Sequence, residues 1–208
     1  MTDPATAPST VTADPAALAH LQTDPTMATL VARFGPYGWR LGEPYRVLVR
    51  AIVGQLISGA AARAVYGRLQ AATDLDPERL LTCTTDDLLA LGVPRRKGEY
   101  LRELSAAYLG GALEGLAGGS DADVLARLTA LRGVGVWTAE MFLIFALGRP
   151  DVWPLKDMGV VRAGEGLYGA FGVPALSELG ARFAPYRSAA VWYLWRWIEA
   201  GGLKVAPK

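Results

Sequence analysis

The segment Leu131-Arg-Gly-Val-Gly-Val-Trp-Thr-Ala-Glu140 places a Gly-x-Gly pair directly ahead of an apolar run, and a carboxylate, Asp157, follows twenty-two residues after Gly135. Gly133 and Gly135 read as a tight hairpin opening into a helix. Such a turn aims backbone N–H groups and the positive end of a helix dipole at one point, an arrangement that suits a phosphate. Glycine also admits positive φ and close approach of a ligand to the backbone. The same pair would serve an ordinary interhelical turn. Asp157, in Trp153-Pro-Leu-Lys-Asp-Met-Gly159, is placed to do chemistry, and equally placed to cap a helix.

The remaining composition narrows the classes. The chain has 208 residues, 51% of them hydrophobic and 20% charged, which fits one domain or two small lobes. One cysteine, Cys83, excludes an internal disulfide, a four-cysteine zinc site and a cysteine-ligated iron–sulfur cluster. One histidine, His20, excludes histidine-rich metal chemistry. Residues 1–12 lack a basic region and an apolar run, and read as a disordered tail ahead of a domain over 13–208. No apolar run has the length of a membrane span, so no membrane association is expected. The net charge is +1, with nine Lys/Arg against six Asp/Glu from Leu131 onward and twelve against fourteen before it. The mild basic excess lies in the part that carries the hairpin, which permits a nucleic-acid partner without requiring one.

Helix signals dominate. Asp14-Pro15, Asp24-Pro25 and Asp76-Pro77 are N-cap and N1 pairs, in which the carboxylate accepts an orphan N–H and the proline has none to satisfy. Thr84 and Pro94 start further helices. Tyr45 to Ile57 carries apolar residues at helical spacing, and Ser58 begins an Ala-rich helix to Leu69. Helices are also expected over 123–128, 136–147, 157–168, 177–183 and 185–200. No strand alternation stands out. The expectation is an all-α chain of about ten helices.

Two further segments make a resemblance specific. Ala51-Ile-Val-Gly-Gln-Leu-Ile-Ser58 is a helix end with a Gly-Gln-Leu-x-Ser pattern, and Pro185-Tyr-Arg-Ser188 opens an aromatic-rich C-terminal helix. With the hairpin and Asp157 in register, the chain from about Arg33 to Glu199 resembles the helix-hairpin-helix (HhH-GPD) DNA glycosylase superfamily, nearest its bacterial 3-methyladenine type II branch. The resemblance implies a two-lobed all-α fold, with a lobe of about 45–128 inserted between N- and C-terminal helices, a hairpin over 131–137 and a base pocket between the lobes. The N-terminal β-domain that type II enzymes often carry is expected to be absent or reduced.

The resemblance also implies roles. Asp157 is the catalytic carboxylate. Trp137 occupies the position at which bifunctional relatives carry a Schiff-base lysine, so lyase activity is not expected. A base alkylated at a ring nitrogen often bears positive charge and leaves without a general acid, so one carboxylate and water suffice. The target base must leave the stack. Leu56, with Gln55, holds the wedge position, although a leucine in an apolar helix is also ordinary core. Trp137, Tyr45, Trp39 and Trp153 are candidates for the base pocket, where electron-rich rings favour a cationic base. Trp192, Trp195 and Trp197 read as packing. Gly133, Gly135, Arg132, Lys156 and Arg162 are candidate phosphate neighbours. No cofactor is required, while the main-chain carbonyls of Thr129, Leu131 and Val134 are expected around a structural Na+ or K+. The implied partner is double-stranded DNA with alkylated bases, met by a monomer in the cytoplasm at the nucleoid. A glycosylase for an oxidised or deaminated base and a non-catalytic DNA-binding module stay open as alternatives.

Overall fold

Helix starts follow the caps. The computed structural model describes residues 10–202. Among them run α1 (Pro15–Leu21), α2 (Pro25–Phe34), α3 (Pro44–Gly54), α4 (Gly59–Thr73), α5 (Pro77–Thr82), α6 (Thr85–Ala90), α7 (Arg95–Leu109), α8 (Asp121–Thr129), α9 (Val136–Phe145), α10 (Met158–Tyr168), α11 (Gly172–Ala181) and α12 (Arg187–Glu199). The three Asp-Pro pairs cap α1, α2 and α5, each carboxylate accepting a backbone N–H of the first turn. Thr84 and Ser120 close reciprocal capping boxes with Asp87 and Asp123 at the starts of α6 and α8.

The secondary structure departs from expectation at the N-terminus and at the end of α3. Of the tail expected over 1–12, residues 1–9 lie outside the described residues, and Thr10–Thr12 form a strand, β1, antiparallel to β2 (Gly38–Arg40). Three-residue strands are too short to show alternation in sequence. The helix expected over Tyr45–Ile57 ends at Gly54, because Gln55 turns out of the helix with ψ 128° and Leu56 follows at a left-handed φ of 58°. No described helix is long and apolar enough to cross a membrane.

The chain divides into two compact units, one made of the segments up to Leu41 and from Gly148 onward, the other of Gly42–Leu147. The second unit extends past the expected 45–128, because α9 packs on both α3 and α8. Its centre is α3, which also meets α4 and α7. Tyr45, Leu48, Val49, Ile52 and Val53 of α3 are all buried. The Tyr45 hydroxyl shares a 2.6 Å hydrogen bond with Ser105 Oγ of α7, and its ring lies 4.7 Å from that of Tyr108. Burial pushes the Tyr45 hydroxyl pKa up to about 12. Tyr45 is therefore a core residue, a correction to the expected pocket role: the start of α3 faces the interior of this unit.

In the first unit α12 packs against α10 and α2. Val191, Tyr193 and Leu194 of α12 are fully buried with Phe183. Trp153 belongs to this core too. Its indole N–H donates to Leu176 O at 3.0 Å and its ring stands 6.0 Å from Phe183, so it is packing and not the pocket aromatic expected. Trp39 sits half-buried on β2, its ring 5.9 Å from Tyr37, which meets Tyr193 edge-on.

Replacing Tyr45 by Phe is expected to lower unfolding free energy by about 1 kcal/mol, the worth of one buried hydrogen bond, with no change in the slope of a urea unfolding curve. A loss of 3 kcal/mol or more would mean that the ring itself is displaced.

Candidate nucleic-acid interface and catalytic centre

Within the Gly42–Leu147 unit, the hairpin joins the end of α8 to the start of α9. Leu131 N–H donates to Leu128 O at 3.0 Å and Val134 N–H to Leu131 O at 3.1 Å, so the loop is a tight backbone turn. The two glycines do different work. Gly133 has φ +86°, and a Cβ there would overlap the Tyr100 side chain of α7. Gly135 is the N-cap of α9 at φ −91°, an ordinary backbone conformation, and a Cβ there would meet nothing within 4 Å. Internal packing therefore explains Gly133 and does not explain Gly135. Gly135 is exposed and no side chain caps α9, so the positive end of the helix dipole lies beside an uncrowded backbone, an arrangement that suits an anion.

Gln55, Leu56 and Ile57 form the turn between α3 and α4. The Gln55 side chain points inward, and its Nε2 donates to Gly133 O and Thr138 Oγ1, both at 2.9 Å. That corrects its expected place in the wedge: Gln55 ties the turn to the hairpin. Leu56 is fully exposed at φ 58°, the opposite of core packing for a leucine. Trp137 stands half-buried on the first turn of α9.

Arg132 is exposed beside the hairpin but already engaged. It pairs with Glu103 and, at 3.3 Å, with Glu99, and lies over the Tyr100 ring. An exposed pair of this kind is weak, and a phosphate that reached Arg132 would compete with two carboxylates. Thr129 ends α8, where carbonyls lack intrahelical donors, and Leu131 O keeps a lone pair beside its turn bond. Those neutral oxygens suit a hard monovalent cation by donor type.

In the other unit, Asp157 is the N-cap of α10 and is only 8% exposed. Its Oδ1 accepts the Val160 N–H at 2.9 Å and the Trp195 indole N–H at 2.8 Å. The helix dipole adds a favourable field at the carboxylate. Trp195 is more than the packing residue its helix position suggests. It is the side chain that fixes the orientation of Asp157, and Gly159 makes room for it, since a Cβ there would stand 2.8 Å from Trp195 Cδ1 and 3.0 Å from Asp157 Oδ1. A glycine two residues after a candidate acid was the one available hint. Lys156 and Arg162 are exposed on either side of the α10 start.

The Pro185–Ser188 motif holds the loop that delivers Asp157. Arg187 grips Asp151 with Nε at 2.6 Å and Nη2 at 2.8 Å. Ser188 Oγ donates to Arg149 O at 2.7 Å and accepts the Val152 N–H at 3.0 Å, while its own N–H bonds Pro150 O at 2.9 Å. The guanidinium of Arg187 holds the Asp151 carboxyl below its usual range.

One helical unit thus presents a glycine hairpin that opens into a helix, and the other a single fixed carboxylate. Residues 49–179 match the family model described as "HhH-GPD superfamily base excision DNA repair protein". DNA-3-methyladenine glycosylase 1 of Schizosaccharomyces pombe is 31% identical over 164 residues, 74% of this chain and 72% of that one. The solved S. pombe 3-methyladenine DNA glycosylase in complex with abasic DNA superposes with a TM-score of 0.81 at 29% identity, over 88% of this chain and 97% of that chain. A DNA-3-methyladenine glycosidase from Bacillus halodurans gives a TM-score of 0.73 at 32% identity, over 94% and 95%. The chain belongs to the HhH-GPD superfamily.

Gly133→Ala is expected to destabilise the protein by about 2 kcal/mol or more, through strain and overpacking on Tyr100. Gly135→Ala is expected to leave the melting temperature within about 2 °C and weaken DNA binding by about tenfold, a lost charge-assisted contact. Equal effects of both on stability would remove the phosphate assignment. For Asp151 the depressed folded-state pKa gives stability that is present above the unfolded value and lost as pH falls through the folded one. Asp151→Asn should therefore destabilise at pH 7 and flatten the stability curve below about pH 4, as read by unfolding at a series of pH values.

Proposed function

We propose that this chain is a monofunctional glycosylase that releases bases alkylated at a ring nitrogen from duplex DNA, as a step of base excision repair. The observation that carries this reading is the fixed environment of Asp157: one carboxylate, almost buried, held on Oδ1 by a helix N-terminus and an indole. The names of the S. pombe and B. halodurans relatives support the 3-methyladenine class of substrate.

A cationic alkylated base needs no proton to depart. As the bond from C1′ to the base nitrogen breaks, its electron pair neutralises the base and leaves an oxocarbenium-like sugar. Asp157 stabilises that charge and orients water, whose oxygen bonds to C1′ and whose proton passes to the carboxylate. Trp137 offers no amine, so no Schiff base forms and the strand stays intact at an abasic site. Leu56, fully exposed, enters the stack as the base leaves it. The N-terminus of α9 binds a backbone phosphate. The carbonyls of Thr129, Leu131 and Val134 would hold a monovalent ion, which would supply positive charge for the phosphate, and Lys156 and Arg162 are further phosphate contacts. The working form is a monomer.

Asp157→Asn is expected to abolish base release while DNA affinity stays within about threefold, because the amide oxygen can still accept from Val160 and Trp195. The check is chromatography of bases freed from duplex DNA methylated at ring nitrogens, with strand breaks scored before and after alkali. Wild-type release with breaks only after alkali is the expected result. Undiminished release by Asp157→Asn would remove the assigned mechanism, and release of oxidised or deaminated bases instead would change the substrate class.

A further inference from the structure

The turn that carries Leu56 lacks the usual means of staying in place. Leu56 makes no packing contact to anchor it, being fully exposed, and its left-handed φ is one that leucine disfavours. Ile57 is 41% exposed and borders a cavity of about 150 Å3, shared with Val53, Ala61, Val65, Val93 and Lys97. The local backbone bonds are long, 3.3 Å from Gln55 N to Ile52 O and 3.4 Å from Ile57 N to Gly54 O. Yet a wedge that opens a base stack must resist being pushed back.

Polar contacts replace packing here. Lys97, on the first turn of α7, donates its ammonium to Val53 O and to Gln55 O, both at 2.7 Å. Val53 O is one of the carbonyls left open at the C-terminus of α3, and Gln55 O lies in the turn itself. The lysine is half-buried, and burial lowers its pKa, so the charge sits at a cost that the two carbonyls offset. On the far side, the Gln55 amide bonds the hairpin at Gly133 O and α9 at Thr138 Oγ1.

We propose that Lys97 is a positioning residue for base flipping: its ammonium clamps the Val53 and Gln55 carbonyls so that Leu56 is driven into the DNA stack as part of one body with the hairpin. A plain helix C-cap would contribute stability alone. A clamp on the wedge contributes to the step in which the base leaves the stack, and to no other. The inference rests on the glycosylase reading only for its excision readout.

The test uses Lys97→Met, Leu56→Ala and the double variant of the whole chain. Wedge insertion is read by 2-aminopurine fluorescence beside a stable abasic analogue in duplex DNA, which needs no catalysis. Excision is read under single turnover from a methylated base in a full duplex and from the same base in a one-nucleotide bulge. Lys97→Met is expected to lose most of the fluorescence rise and to slow duplex excision about tenfold, the worth of one charged hydrogen bond, while bulge excision changes by less than about threefold. On the Leu56→Ala background the same substitution is expected to add less than about twofold, since it acts through that side chain. Lys97→Arg, which retains a charged donor, is expected to recover part of the loss. Equal slowing on duplex and bulge, or a full multiplicative loss in the double variant, would overturn the clamp. If Lys97→Met is unfolded at the assay temperature, Lys97→Gln takes its place in the same cycle. A wild type that inserts Leu56 in a Lys97-dependent way but frees no base would keep the clamp and remove the glycosylase reading.

Discussion

The hydrogen bond from the Trp195 indole to Asp157 is the contact on which the chemistry proposed for this chain turns. A lone carboxylate has two torsions to settle, and a helix cap alone settles them loosely. Accepting from Val160 and Trp195 on the same oxygen fixes the plane of the group. The requirement then propagates. Gly159 must lack a side chain, Trp195 must hold its height on α12, and the loop ahead of Asp157 must not drift. The Arg187 and Ser188 contacts to residues 149–152 meet the last condition. The Pro-Tyr-Arg-Ser motif is thus an anchor for the loop ahead of Asp157, at the start of the helix that supplies the indole.

The hairpin shows the complementary logic. The phosphate site proposed there needs room for a ligand to approach the backbone, so its residues are defined by the space they leave. Gly135 leaves space that no part of its own unit fills, whereas Gly133 is used up internally by Tyr100. The exposed Leu56 belongs to the same pattern: an apolar side chain kept in water, at a backbone angle it disfavours, is tolerated where function asks for it.

Local chemistry was legible in the sequence and tertiary choice was not. The Asp-Pro and Thr/Ser-box caps state their own hydrogen bonds, so the helix starts could be read directly. The helix start at Asp157 and the tight turn at Gly133 were legible from residue type and spacing. The aromatics were not. Tyr45 and Trp153 pack in cores because Ser105 and the Leu176 carbonyl satisfy their polar atoms, partners sixty and twenty-three positions away. Trp195, with the same residue type as its neighbours on α12, is singled out only by a partner thirty-eight residues earlier. Lys97 lies among exposed basic residues, and nothing local distinguishes it from Arg95 or Arg96.

Those unseen partners share one property. Trp195, Ser188, Gln55 and Lys97 each use a polar group to hold a piece of backbone or a side chain that bears on the reaction, and none of them needs to touch the reacting atoms. A site with one acid has little chemistry to distribute, so its rate depends on geometry: the carboxylate against the sugar, and the wedge against the stack. Positional precision of that kind comes from directional bonds at fixed lengths, which apolar packing supplies less sharply. Asp157 and the Leu56 turn are accordingly held by hydrogen bonds, while the aromatic and aliphatic cores carry the stability.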